Sequence, residues 1–444
     1  MKYEQMFVFK EKGCKMAEKE RTYFCIDMKS FYASVECAER GLNPFETNLV
    51  VTDKDRGKNA ICLAITPKMK TLGIKNRCRL SEIPKGLDYI SAIPRMKLYI
   101  EYSADIYGIY LNYFSPQDIH VYSVDEAFID VTDYIKLYKM DARSLAKQLI
   151  REIAEKQHIP ATVGIGTNLY LAKIALDITA KRNKDHIGYL TQKFYRETLW
   201  RHTPITDFWQ VARGTANRLA RLGVYDMEGV AKFPQEKLYK IFGVNAELLI
   251  DHAWGRESCL IEDIKNYHSK SKSVSFSQIL GRDYSFEQAK TVVLEMVLNG
   301  CHEMMRRGVI SSKVGVSVGY SFGERDVTGK TISMPVSTNA YSLIKDYALK
   351  AFEESTDKDV PIRRLAICFS SVCDESCEGY DLFTDIDKVA KEKHRERAVL
   401  EMTEKYGKNA ILRGTNFLDE ATQRERNTFI GGHRAGFHDK TTKS

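Results

Sequence analysis

The chain has 444 residues, of which 43% are hydrophobic, a length that suggests roughly three domains with packed cores. Its 67 Lys and Arg against 59 Asp and Glu leave a net charge of +8, which suits a polyanionic partner without demanding one. No stretch approaches a membrane-spanning length. The apolar run Met6-Phe7-Val8-Phe9 is too short for a signal-peptide core, and ten cysteines without a Cys-x-x-Cys pair point to free thiols in a reducing cytoplasm rather than zinc.

Residues 1–20 read as an extension outside the main fold. Residues 22–28 read as a buried strand ending in an acid, followed by a helix over 31–37. Strands follow at 49–52 and 60–65 around the polar turn 53–59. Residues 66–73 read as a short helix, with Pro67 in its first turn and Gly73 at its end. A helix with an aromatic face covers 96–114, and alternating runs at 119–124 and 127–131 form a hairpin. Residues 141–158 are an amphipathic helix with Leu145, Leu149, Ile150 and Ile153 inward. A strand at 161–166 and a helix at 168–179 complete this part. Gly164 and Gly166 lack the rest of a nucleotide-binding glycine fingerprint and read as close backbone packing.

From 195 to 257 the pattern changes to short helices. Residues 266–275 are polar and basic and read as a linker. Between 276 and 372 the order is strand, helix, strand, strand, helix, strand, with helices at 286–306 and 341–352. A charged helix over 388–406 precedes a polar tail that is expected to be partly disordered.

The chemistry concentrates on three acids. Asp27 ends the first strand, and Asp125 and Glu126 sit where the hairpin strands meet. Neighbours in a strand point to opposite faces, so adjacent carboxylates converge only at a turn or strand end. Two acids in an apolar hairpin are costly unless a cation neutralises them. With Asp27 they make the carboxylate set of a two-metal phosphoryl-transfer site. The alternative is that Asp27 caps the helix after it and Asp125-Glu126 is a solvated turn.

The run Asp27-Met28-Lys29-Ser30-Phe31-Tyr32-Ala33-Ser34-Val35-Glu36, followed by Tyr122-Ser123-Val124-Asp125-Glu126-Ala127-Phe128, resembles the Y-family DNA polymerases, in their bacterial UmuC-like branch. The resemblance extends from about Thr22 to near Ile430. It implies an α+β multidomain right-hand polymerase. A ferredoxin-like palm would cover 21–40 and 94–190, and small fingers 41–93. A helical thumb (191–262) would carry a helix-hairpin-helix unit at 208–224, its double glycine reduced to Gly214. A linker (263–275), an α+β little finger (276–373) and a tail (374–444) complete the chain.

The resemblance also implies roles. Asp27, Asp125, Glu126 and the main-chain carbonyl of Met28 would hold two Mg²⁺. Phe31 and Tyr32 would lie at the nucleotide, with Tyr32 as the steric gate against a 2′ hydroxyl. Thr66, Lys70 and Lys181 would hold the triphosphate, with Lys173 nearby but secondary. Pro67 stands where many members have a phenol. Leu382-Phe383 resembles the end of a clamp-binding peptide, with Gly379 in place of its glutamine. The implied partners are primer-template DNA, deoxynucleoside triphosphates, a sliding clamp and a regulatory protein, in translesion synthesis during a damage response. Two other classes compete: another palm-type metal enzyme such as a nucleotide cyclase, and a catalytically silent DNA- or clamp-binding protein.

Overall fold

The computed structural model describes residues 21–268, 273–321 and 325–436; the N-terminal extension (1–20) and the end of the tail lie outside them. The chain divides into two compact units, one of residues 1–269 with 436–444 and one of residues 270–435, an α+β arrangement in each.

The first unit begins with β1 (Tyr23–Met28) and α1 (Phe31–Ala38). A small three-stranded sheet follows: β2 (Leu49–Val51) lies between β3 (Ala64–Ile65), antiparallel to it, and β4 (Ile90–Ala92), parallel to it. Between β3 and β4 lies α2 (Pro67–Thr71), with proline in its first turn where an unbonded amide costs nothing. Residues 60–63 fall outside the strand expected there; only Ile61 makes a bridge, to Arg79. Then come α3 (Met96–Leu111), β5 (Ile119–Val121), β6 (Glu126–Asp130), α4 (Thr132–Tyr138), α5 (Ala142–Gln157), β7 (Ala161–Gly166), α6 (Leu169–Ile174) and β8 (Ile187–Leu190).

The main sheet has the order β5-β6-β1-β7-β8, with β1 antiparallel to both neighbours. Strand alternation divides β1 between two cores. Phe24, Ile26 and Met28 pack with α1, α3 and α5, while Tyr23 and Cys25 pack with Phe128 and with Leu169, Ala172 and Leu176 above them. Both faces of β1 are therefore covered, which explains its continuous apolar run.

The approach of α6 to the sheet is set by glycines. A Cβ on Gly164 would collide with backbone atoms of Ala172 and Leu176, and one on Gly166 with Leu171 and Ala172. After Ile174 the helix widens into a π-turn at Ala175–Thr179 and tightens into a 3₁₀ turn at Ala180–Arg182. Such irregularities recur at functional sites.

Short helices complete the unit: α7 (Gln192–Thr198), α8 (Arg213–Ala220), α9 (Met227–Lys232), α10 (Gln235–Phe242), α11 (Asn245–Ala253) and α12 (Ile261–Asn266). The expected hairpin glycine is misplaced: Gly214 lies inside α8. The turn before α8 is made by Gln210, a non-glycine residue at φ 69°. The linker also needs correction. Residues 261–266 are helical, with Ile261 and Ile264 buried against the sheet, and Ser273 already belongs to the next strand. Residues 269–272 lie outside the described set.

The second unit is built on β9 (Ser273–Tyr284), α13 (Phe286–Arg306), β10 (Val309–Tyr320), β11 (Thr328–Thr338), α14 (Tyr341–Ser355) and β12 (Ile362–Asp374). Its antiparallel sheet has the order β11-β10-β12-β9. One face carries α13 and α14 on a core that includes Val293, Val316, Leu365 and Phe369. The opposite face presents Ser273, Ser275, Ser277, Lys313 and Arg364, all exposed. Hydroxyls and small residues dominate it.

The expectation of a loose polar tail fails through Gly436. After β12, α15 (Ile386–Tyr406) buries Val389 and Leu400. The short α16 (Gln423–Arg426) and the hairpin β13 (Phe429–Ile430) and β14 (His433–Arg434) follow. This segment is held by polar contacts rather than by an apolar stripe, which is why its composition looked disordered. The buried Glu295 of α13 accepts from Asn416 Nδ2 at 2.8 Å and from the Thr422 and Gln423 amides at 2.8 and 3.1 Å.

Candidate active site

The three acids meet at one end of the main sheet. Asp27 is the penultimate residue of β1 and lies directly opposite Glu126, the first residue of β6. Residues opposite each other in an antiparallel pair share a face, so Cys25, Asp27, Glu126 and Phe128 line one side. Asp125 lies in the bend just before β6. Its carbonyl accepts from the Met28 amide at 3.0 Å, and its carboxylate accepts from Ser123 Oγ at 2.6 Å. The helix-cap reading of Asp27 is excluded: the residue before α1 is Ser30, at φ 51°.

Like charges shape the electrostatics. Burial first, then the charges of Asp125 and Glu126, push the Asp27 carboxyl up to about 7. Burial also raises Glu126, opposed by the ammonium of Lys173 at 2.7 Å. This excess of negative charge is what a divalent cation relieves, and carboxylates with a main-chain carbonyl are the hard oxygen donors such ions prefer. Asp27, Asp125, Glu126 and the Met28 carbonyl therefore fit a metal site in kind. Among the described residues, however, no three acidic, His or Cys groups already converge as a closed cage.

Around the acids stand cations. Lys70, at the end of α2, has its pKa lowered by partial burial, while the charge of Asp27 acts in the opposite direction and that of Lys181 in the same one. Lys181 is exposed and reaches Asp177 at 4.0 Å. Lys70 thus feels the charges of both Asp27 and Lys181. Lys29 joins them. Its ammonium lies 2.9 Å from His186 Nδ1, and its pKa is lowered by burial and then by Lys70. Sequence reasoning passed over Lys29, although it sits two residues after Asp27 in the run quoted above.

The remaining predicted residues separate. Tyr32 is half-buried and stacks on Tyr99, with centroids 4.6 Å apart and planes 18° apart. Burial and then the Asp125 charge raise its phenol, and Arg77 opposes them. Tyr99 donates to Glu36 Oε1 at 2.8 Å, and Arg95 donates twice to the same carboxylate, at 2.9 and 2.8 Å. Tyr99, Glu36 and Arg77 were missed because their sequence neighbourhoods read as helix core and loop. Phe31 is only 3% exposed and belongs to the core. Thr66 is also buried, and its hydroxyl both donates and accepts within the protein. It donates to the Thr47 carbonyl at 2.7 Å and accepts from the Leu49 amide at 3.2 Å. That hydroxyl ties β2 to the start of α2 and gives its proton to a carbonyl, so it has none to donate to the phosphate expected there.

In the second unit Leu382 and Phe383 are 100% and 94% exposed. The Asp381 carboxylate accepts from the Phe383 amide at 3.1 Å and from Thr384 Oγ1 at 2.7 Å, a local turn that holds both apolar side chains out.

A sheet with paired acids at one strand end, flanked by lysines, and a separate four-stranded unit with helices on one face define a palm-type right-hand fold. The impB/mucB/samB family matches residues 26–177, and its C-terminal domain matches residues 271–382. The putative UV-damage repair protein UvrX of Bacillus subtilis strain 168 is 31% identical, over 94% of this chain and 98% of that one. DNA polymerase IV 2 of the same strain is 30% identical, over 94% and 99%. A solved Y-family DNA polymerase chimera of Dbh and Dpo4 has the same fold, with a TM-score of 0.61 and 21% identity, covering 79% of this chain and 99% of that one. The chain belongs to the impB/mucB/samB family, the Y-family polymerase line.

Proposed function

We propose that this protein is a template-directed DNA polymerase that copies damaged templates. The observation that carries the reading is the register of β1 and β6. It sets Asp27 against Glu126, with Asp125 at the strand end beside them, in a chain whose relatives over nearly their full length are named as a polymerase and a UV-damage repair protein.

Asp27, Asp125, Glu126 and the Met28 carbonyl would hold two Mg²⁺. When bound, such ions would lower the pKa of the attacking hydroxyl and stabilise the charge on the leaving group. The primer 3′ hydroxyl attacks the α-phosphate of a deoxynucleoside triphosphate, and pyrophosphate leaves. Lys70 and Lys181 neutralise the β- and γ-phosphates as point charges on flexible stems. Tyr32, braced by Tyr99, lies against the sugar. The short segment 41–93 screens the new base pair weakly, which suits lesion bypass. The serine-rich face of the second unit holds the duplex through its backbone, and Leu382-Phe383 docks on a sliding clamp.

The test is primer extension on a defined template with Mg²⁺ and four deoxynucleotides, comparing wild type with Asp125→Ala. Extension by wild type alone supports the reading. Extension that survives in the variant removes the acidic hairpin from the mechanism, and none by wild type favours the cyclase-like or silent alternatives.

A further inference from the structure

Helix α6 covers the face of the sheet that bears Cys25, Asp27 and Glu126. It brings Lys173 onto that face, 8% exposed. A buried ammonium is desolvated at a cost that only close counter-charges offset. Two are present. Glu126 Oε1 lies at 2.7 Å and Asp177 Oδ2 at 3.2 Å, so Glu126 is the nearer partner. The Cys25 thiol donates to that same Oε1 at 3.1 Å. Lys173 and Cys25 together fix the orientation of this carboxylate, while Asp125 and Asp27 stand free of any comparable cation contact within hydrogen-bonding range among the described residues. The carboxylate that a metal needs is already held by an internal cation.

We propose that Lys173 is a positioning residue for Glu126. It occupies Oε1 as a competing internal cation, holds the carboxylate in place, and keeps metal affinity low in the enzyme without DNA or nucleotide. This rests on the metal reading of Asp27, Asp125 and Glu126. The geometry assigns Lys173 to the acids and leaves Lys70 and Lys181 to the phosphates.

The experiment measures Mn²⁺ binding by calorimetry to the full chain without DNA or nucleotide. The proteins are wild type, Lys173→Gln, Lys173→Arg, Asp177→Asn and Asp27→Ala, each checked by thermal melting. Lys173→Gln is expected to bind Mn²⁺ about five- to tenfold tighter, since a unit charge next to the site is gone, and Lys173→Arg to restore wild-type affinity. Asp177→Asn is expected to weaken binding, both by leaving Lys173 to Glu126 alone and by removing its own charge near the acids; Lys173→Met, expected to tighten binding as Lys173→Gln does, stands as the test if Lys173→Gln fails to fold. Unchanged or weaker binding by folded Lys173→Gln, or unchanged binding by Asp177→Asn, overturns the inference. Unchanged binding by Asp27→Ala overturns the metal reading itself.

Discussion

Tyr32 shows how a single side chain acquires a role from its neighbours. Its ring is braced by Tyr99, and Tyr99 is anchored by the buried Glu36. Tyr32→Ala is expected to raise ribonucleotide incorporation relative to deoxyribonucleotide, read as the ratio of kcat/KM for the two sugars; an unchanged ratio removes the gate. Lys70 and Lys181 act differently, through charge alone. Replacing either by Gln is expected to lower kcat/KM for the nucleotide by roughly tenfold or more, because hydrogen bonds to charged groups contribute about 1.5–3 kcal/mol. A loss confined to KM assigns the lysine to ground-state binding; a loss in kcat assigns it to the transition state.

The elements around the site depend on close contacts that allow no substitution. Gly164 lets α6 lie against β7, and a methyl group there meets the backbone of Ala172 and Leu176. Gly164→Ala is therefore expected to destabilise the first unit by several kcal/mol, as overpacking against backbone does, with a lowered melting temperature and lost activity together. Glu36 makes the corresponding polar joint between α1 and α3. Burial alone would raise its carboxyl, but hydrogen bonds from Arg95, Arg40 and Tyr99 outweigh that and hold it below the usual range. Glu36→Ala removes the two short hydrogen bonds of Arg95 and the one from Tyr99, leaving the partly exposed Arg95 only Glu39 at 3.7 Å, and is expected to cost about 1.5–3 kcal/mol, measured by denaturant unfolding.

At the scale of the whole molecule, the second unit extends well past its sheet, through α15 to the hairpin at Phe429–Arg434. Glu396 is its polar centre, bonded to His302 at 2.8 Å and to Arg413 at 3.0 Å. Burial would raise this carboxyl, yet the His302 hydrogen bond and the Arg413 charge bring it down to about 2. A depressed carboxyl stabilises fully above its unfolded value of about 4.5 and loses that contribution as pH falls from there toward 2. The second unit is accordingly expected to lose stability below about pH 4.5, and Glu396→Gln to flatten that slope while lowering stability at pH 7, both read by denaturant unfolding at stepped pH. All nine cysteines among the described residues are free thiols, and no helix among them is long and apolar enough to cross a membrane.

The sequence by itself determined the strands and helices whose apolar spacing is regular. The helix at Phe286–Arg306 and the strand at Ala161–Gly166 have the bounds their periodicity predicts. It also singled out Asp27, Asp125 and Glu126 as acids at strand ends in apolar surroundings, but their spacing alone left a helix cap and a solvated turn open beside a metal site, and the family resemblance favoured the metal site. What it left open depends on contacts between distant residues. Thr66 looked like a phosphate ligand until β2 was seen to use its hydroxyl. The segment 408–436 looked loose because Glu295, more than a hundred residues earlier, supplies its anchor. Lys173 looked secondary until the strand register placed Glu126 beneath it. Local periodicity is written in neighbouring residues; the partners of buried polar groups are set only when the chain closes on itself.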